Sequence, residues 1–217
     1  MKYVSEKFHE ALELSSRLHE CQCRKGNATP APYVSHLLSV ASTVLKCGGT
    51  EDQAIAALLH DALEDQSDKI SAEEIGERFG ETVRRIVLAC TDELSTHRKA
   101  IPWRERKEKY LSHIMELAAD EMLVVVADKL DNARDIRCNY AKVGENYWER
   151  FSGNKQGMIW YQCELASTMR SWLIQNMQNY DNPYLEELIN EFVELTDSFL
   201  EYGEEREAAQ LNVQLAP

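Results

Sequence analysis

The sequence predicts an all-α fold: a single helical bundle followed by an acidic amphipathic helix near the C-terminus. Three observations lead there. Apolar residues recur at helical spacing along most of the 217 residues, and the alternation typical of half-buried strands is rare. Proline and glycine are sparse, five and nine, and fall mostly between the periodic stretches. Residues that start or stop helices stand at the ends of those stretches.

The first helix is expected over residues 4–22, with Phe8, Ala11, Leu12, Ser15 and Leu18 on one side. The loop "RKGNATPAP" at 24–32 follows, where two prolines and a glycine forbid regular helix. A helix over 33–46 stops at Gly48–Gly49. Thr50 then caps a helix running to Asp65. "SAEEIGERFG" at 71–80 opens with a capping-box pair, Ser71 and Glu74, and closes at Gly80. Further helices are expected at about 81–93, 103–117, 120–138, 145–151 and 155–177. After residue 178 the character changes. Leu185, Leu188, Ile189, Phe192, Leu195 and Phe199 recur at helical spacing, and residues 184–207 carry nine acids and one base. Residues 1–177 are read as the main domain and 178–207 as a helical extension. The extension packs on that domain or on a second copy, in a homodimer. Residues 208–217 are read as a disordered tail.

Composition excludes several classes. The net charge of −13 argues against a nucleic-acid binder, which would carry a basic face. No apolar run reaches the ~18 residues of a membrane span, and "MKYVSEKFHEALEL" lacks a secretion signal, so a cytoplasmic protein is expected. Cys21, Cys23, Cys47, Cys90, Cys138 and Cys163 are scattered and lack zinc-site spacing, so they read as reduced core thiols.

The chemistry concentrates in "AALLHDALED", residues 56–65. On a continuous helix, Ile55, Leu58, Leu59, Ala62 and Leu63 share one sector, while His60, Asp61, Glu64 and Asp65 share the opposite one. Ala54 and Ala57 lie on the polar side and leave room for an approaching group. Glu64 follows His60 by four and Asp65 follows Asp61 by four, one helical turn each. The ordinary reading is a wet acidic helix face. Against it, the face has no Lys or Arg, and imidazole beside carboxylate is a ligand pair suited to a divalent transition metal. His36 and the stripe Asp128, Asn132 and Asp135 carry the same ambiguity. A lone histidine at a helix start is usually a cap or surface residue, and a buried aspartate beside "LVVVAD" needs an arginine, a set of backbone donors or a metal.

Taken in order, "RKG" at 24–26, "PYVSH" at 32–36, "AALLHDALED", "FG" at 79–80, "CTDE" at 90–93 and "ADKLDNARD" at 127–135 make a more specific pattern. It resembles the HD superfamily of metal-dependent phosphohydrolases. Within that superfamily it is similar to the Rel/SpoT hydrolase domain and its stand-alone relatives, small alarmone hydrolases of the metazoan SpoT homologue type, over about residues 5–175. The resemblance implies an all-helical domain with one Mn²⁺ held by His36, His60, Asp61 and Asp128. It implies removal of the 3′-pyrophosphate from ppGpp-type nucleotides, guanine or adenine. Glu64 and Asp65 match the catalytic acidic pair. Arg24, Lys25 and Asn132 match positions lining the nucleotide pocket.

The basic stretch 97–109 suggests Arg104 and Lys107 as clamps on the developing phosphoryl charge, with Lys155 a third candidate. Trp160 and Tyr161 either pack on the nucleotide or belong to the core. The chain departs from the family pattern at Asp131, where many relatives carry Tyr or His, in the 24–32 loop, and after residue 135. These departures bear on which nucleotide is used. His97 and His113 are the only spare histidines placed for a second metal, and neither sits in a familiar ligand motif, which favours one ion. Alternatives are another HD phosphohydrolase, acting on nucleoside mono- or triphosphates, cyclic nucleotides or the 2′-phosphate of NADPH, and a catalytically silent nucleotide-binding module. The silent module should have lost a ligand or an acid, yet all six such residues are present.

Overall fold

The computed structural model describes residues 4–25, 29–92, 101–176, 178 and 180–197. The order is α1 Glu6–Leu18, α2 Val34–Lys46, α3 Glu51–Leu59, α4 Ala62–Asp65, α5 Ala72–Phe79, α6 Glu81–Cys90, α7 Trp103–Ile114 and α8 Ala119–Val143. A 3₁₀ segment, Gly144–Arg150, and α9, Asn154–Asn176, follow. A further helix, α10, covers 183–197. No strand is found among the described residues; a single antiparallel bridge pairs Cys23 with Pro32. None of the described helices is long and apolar enough to cross a membrane.

The helix starts follow from local chemistry. Ser5 Oγ accepts the Lys7 N–H at 3.2 Å. Thr50 and Gln53 form a reciprocal capping box that satisfies two otherwise orphan donors. Ser71 Oγ accepts the Glu74 N–H at 3.2 Å. Gly80, at φ +106°, ends α5 and opens α6, a turn for which glycine is favoured. Gly49 serves close approach instead. A Cβ there would stand 2.5 Å from Val44 Cγ1 and 2.8 Å from its carbonyl oxygen.

One expectation is corrected at the centre. The sequence suggested a single amphipathic helix from Thr50 to Asp65. The structure breaks it at His60–Asp61, and Ala54 through Leu59 are all fully buried. α3 packs against α1, α2, α6 and α8, so no side of it is left for solvent. Ala54 and Ala57 are small because neighbouring helices come close, not because a ligand enters beside them. Apolar and polar groups are therefore separated along the axis: α3 is dry to Leu59, and the ionisable residues start where it ends.

α8 is the second central element. Met122 through Ala127 are buried in succession, as the Val124–Val126 run anticipates, and each such aliphatic side chain contributes about 1.5–3 kcal/mol relative to exposure. Ile136, Tyr140, Tyr147 and Trp148 form a separate small cluster where α8 meets the 3₁₀ segment. α10 docks on its own domain. Leu185, Leu188, Ile189, Phe192, Val193 and Leu195 join the main core. The Asn182 amide donates to the Cys47 carbonyl at 2.9 Å, and Arg134 pairs with Glu191. The apolar face left free by the sequence to pack in cis or on a second copy is used in cis. Phe199 and the 208–217 tail lie outside the described residues.

The cysteines also differ from expectation. Cys90 alone is buried; Cys47 and Cys163 are half-buried, and Cys21, Cys23 and Cys138 are exposed. All six are free thiols. Their helical context did not reveal which face they occupy.

The burial of α3 has a measurable consequence. Ala57→Leu adds volume where there is no space and is expected to lower stability by about 1–3 kcal/mol in urea unfolding. An unchanged midpoint would mean that α3 has an open side.

Candidate metal centre and adjoining cleft

The end of α3 delivers His60 and Asp61, the first turn of α2 delivers His36, and the middle of α8 delivers Asp128. Among the described residues, His36, His60 and Asp128 form the one group of potential ligands with atoms all within 4.8 Å of one another. His36 Nε2 lies 3.2 Å from His60 Nε2 and 3.2 Å from Asp128 Oδ1. His60 Nε2 stands 3.5 Å from Asp128 Oδ1. Asp61 Oδ2 lies alongside this group, 3.0 Å from His60 Nε2 and 3.6 Å from His36 Nε2. Donors bound at ~2.1 Å on adjacent corners of an octahedron stand about 3 Å apart, so this spacing fits a single divalent ion. Two imidazoles and two carboxylates suit a transition metal.

The second ring nitrogens are occupied. His60 Nδ1 is 2.8 Å from the Ala57 carbonyl, and His36 Nδ1 is 2.6 Å from Asp131 Oδ2. Donation from Nδ1–H in both leaves both Nε2 atoms turned inward as lone pairs. The surrounding carboxylates act on these rings as well. Burial pushes His36 down, but hydrogen bonds to Asp128, Asp131 and Asp61 outweigh it and lift it to about 9. His60 is also raised: burial opposes charge, and Asp61 and Asp128 overcome it. Burial pushes Asp61 up, while the two histidines hold it well below its usual range. The carboxylates thus favour positive charge at this point, whether on the ring nitrogens or on a bound cation.

The acid pair lies beside this group. The Asp92 N–H donates to Glu64 Oε1 at 2.6 Å. Gln22 Nε2 donates to Asp65 Oδ2 at 2.6 Å, and Gln22 is itself held by Gln66 and His19. Tyr33 donates to Asp61 Oδ2 at 2.5 Å and stacks on His19, with ring centroids 5.0 Å apart. Burial, reinforced by Asp61 and Asp65, raises the Tyr33 hydroxyl well above its usual range, so it stays protonated.

A cleft opens over Asp61, Glu64 and Asp65. Arg24, Lys25, Lys107, Lys129 and Asn132 line its polar part, and Trp103, Ile136, Tyr147, Phe151 and Met158 its apolar part. Arg24 is set by Asn132 Oδ1 at 2.9 Å and Asp135 Oδ2 at 3.1 Å, and its backbone N–H bonds the Ala31 carbonyl across the loop. Asp92 holds both Arg106, at 2.7 Å, and Lys107, at 2.9 Å. Burial pushes Lys107 down, but Tyr161, Asp92 and Glu64 keep it cationic. Lys129 Nζ lies 2.6 Å from Asp128 Oδ2. Tyr161 Oη and Gln162 Oε1 are buried behind the cleft wall without a hydrogen-bond partner among the described residues.

Of the substrate-contact residues expected from sequence, Arg24, Lys25, Lys107, Asn132 and Tyr161 stand on this wall. Arg104, Lys155 and Trp160 do not. Arg104 pairs with Glu108 one turn along an exposed face of α7 and lies over Trp160, 3.5 Å from the ring centroid. Trp160 is engaged by Arg104 and Trp103, and Lys155 pairs with Glu145 at 3.3 Å. His113 packs near Tyr110 rather than in the ligand group, and His97 lies outside the described residues. Tyr33, Asp92 and Lys129 were missed as site residues, although each sits inside a motif: "PYVSH", "CTDE" and "ADKLDNARD".

Comparison with known proteins gives the family of the chain. Residues 11–159 match the HD domain family. The guanosine-3′,5′-bis(diphosphate) 3′-pyrophosphohydrolase MESH1 of Xenopus tropicalis is 38% identical over 130 residues, covering 59% of this chain and 68% of the relative. MESH1 of Drosophila melanogaster is 36% identical over 140 residues, covering 63% and 73%. The solved structure of a metazoan ortholog of SpoT that hydrolyses ppGpp superposes with a TM-score of 0.67 at 27% identity, covering 88% of this chain and 96% of that one. A protein from Listeria monocytogenes gives 0.59 at 26% identity, covering 77% and 99%. The chain belongs to the HD-domain family of metal-dependent phosphohydrolases.

Proposed function

We propose that the chain hydrolyses the 3′-pyrophosphate of alarmone-type purine nucleotides, ppGpp, pppGpp or ppApp, with one Mn²⁺ held by His36, His60, Asp61 and Asp128. The observation that carries this reading is a buried ligand group adjoining, through Asp61, a cleft that holds an acid pair, four cationic side chains and an apolar end. The named activity of the MESH1 relatives supports the choice of substrate class.

A divalent cation bound there supplies Lewis-acid polarisation of a phosphoryl oxygen and makes water a usable nucleophile at neutral pH. The protein's own groups do the rest. Glu64, fixed by the Asp92 N–H, and Asp65, fixed by Gln22, orient the attacking water and take up its proton. Lys107 and Lys129 face the transferred phosphoryl group, where charge grows in the transition state. Arg24 and Asn132, joined to each other, hold the nucleoside side, and Arg24 offers a planar face for a base. Ile136, Tyr147, Phe151 and Met158 exclude water from the far end.

Three outcomes test this. The purified chain with Mn²⁺, offered ppGpp, pppGpp, ppApp, NADPH, nucleoside triphosphates and cyclic nucleotides, should release pyrophosphate only from 3′-pyrophosphorylated purines. Products are resolved by anion exchange, and turnover of triphosphates, cyclic nucleotides or NADPH alone overturns the reading. Glu64→Gln and Asp65→Asn should each lower kcat by about 100- to 10,000-fold without loss of bound metal, whereas His60→Ala should lose the metal itself. Lys107→Ala should lower kcat/KM roughly 10- to 100-fold, the worth of one charge-assisted contact. Arg104→Ala, on the outer face of α7, should stay near the unmodified value.

A further inference from the structure

Asp131 is an acid where many relatives carry Tyr or His, and a free carboxylate beside a cleft for anions would be unfavourable. The structure shows why it is tolerated. Asp131 Oδ2 lies 2.6 Å from His36 Nδ1, and Oδ1 accepts from the Ser39 hydroxyl. Arg24 Nη2 stands 3.9 Å from Oδ2. His36 and Ser39 are neighbours on one face of α2, so α2 grips a single carboxylate projecting from α8. Asp131 is absent from the cleft wall, although Lys129 and Asn132 on either side of it are present.

The two metal-facing histidines are fixed differently. His60 donates to a backbone carbonyl, Ala57, which no substitution at that position removes. His36 depends on a side chain, and in this chain the side chain is an acid. A carboxylate behind an imidazole fixes the Nδ1–H tautomer, sets the ring plane and makes Nε2 a better donor. We propose that Asp131 is a positioning residue for His36: it tightens metal binding at this centre through the His36 ring and does not touch substrate. The same carboxylate lies against Arg24, so the cation facing the nucleotide and the ligand facing the metal share one anchor. The proposal rests on the metal-centre reading and is independent of which nucleotide is cleaved.

The test reads metal affinity rather than turnover. The full chain is stripped with chelator and titrated calorimetrically with Mn²⁺, and with Co²⁺ as a visible-spectrum probe. Asp131→Leu should weaken Mn²⁺ binding about 10- to 100-fold and alter the Co²⁺ spectrum. Asp131→Asn should weaken it less, because the amide oxygen still accepts from Nδ1–H. Ser39→Ala, which leaves the histidine contact in place, should stay near the unmodified chain. Circular dichroism separates loss of affinity from loss of fold. If Asp131→Leu does not fold, Asp131→Asn decides, and an unchanged affinity there overturns the role. A folded Asp131→Leu chain that binds Mn²⁺ as tightly as the unmodified one overturns it as well. An unmodified chain that takes up neither ion overturns the metal centre together with this role, whereas intact metal binding with an indifferent Asp131 overturns this role alone.

Discussion

The structure depends on how a fully buried helix is allowed to end. α3 has no solvent side, yet its last turn runs into His60 and Asp61. A helix C-terminus leaves carbonyls unpaired and carries partial negative charge, so a carboxylate there is unfavourable and a cation is favoured. The fold answers with one arrangement. The Ala57 carbonyl takes the His60 Nδ1–H, and Tyr33 donates to Asp61. His36 and Asp128 arrive from α2 and α8 to complete a ligand set whose spacing fits a divalent ion. The tight packing of α3 against four helices is what brings these distant residues together, so the core and the site form one construction.

That relation explains what the sequence disclosed and what it withheld. The helices were legible because their periodicity and caps are local: Thr50, Ser71 and Gly80 all act where expected. His36, His60, Asp61 and Asp128 were legible as an ordered pattern, although no single one of them was persuasive. The direction of burial around α3 was not legible. Ala54 and Ala57 read as an open face because a helical wheel knows nothing of neighbouring helices, and close helix packing and ligand access both select small residues. Arg104, Lys107 and Lys155 were indistinguishable by charge. Asp92, buried inside "CTDE", draws Lys107 inward, while Glu108 and Glu145 engage the other two. Such tertiary partners are invisible in a linear pattern.

Charge balance in the cleft resolves the problem of an acidic protein that handles an anion. The chain carries −13 in total. The cleft wall, however, sets Arg24, Lys25, Lys107 and Lys129 against Asp61, Glu64, Asp65 and Asp135, four bases against four acids. The wall is locally neutral, and a divalent ion in the adjoining ligand group would offset the two further carboxylates there, Asp128 and Asp131. The acidic character of the whole chain therefore does not extend into the cleft.

α8 sets the geometry of whatever binds. Asp128 sits in its half that belongs to the main core, and Ile136 in the half that joins the small aromatic cluster with Tyr147 and Trp148. Eight residues of α-helix separate them by about 12 Å along the axis. One rigid element therefore fixes the distance between a charged, metal-binding end and an apolar, water-excluding end. A ligand that engages both must carry concentrated negative charge at one end and a flat apolar body at the other. A phosphorylated purine has both features, whereas inorganic phosphate or a short polyphosphate would leave the apolar end unused.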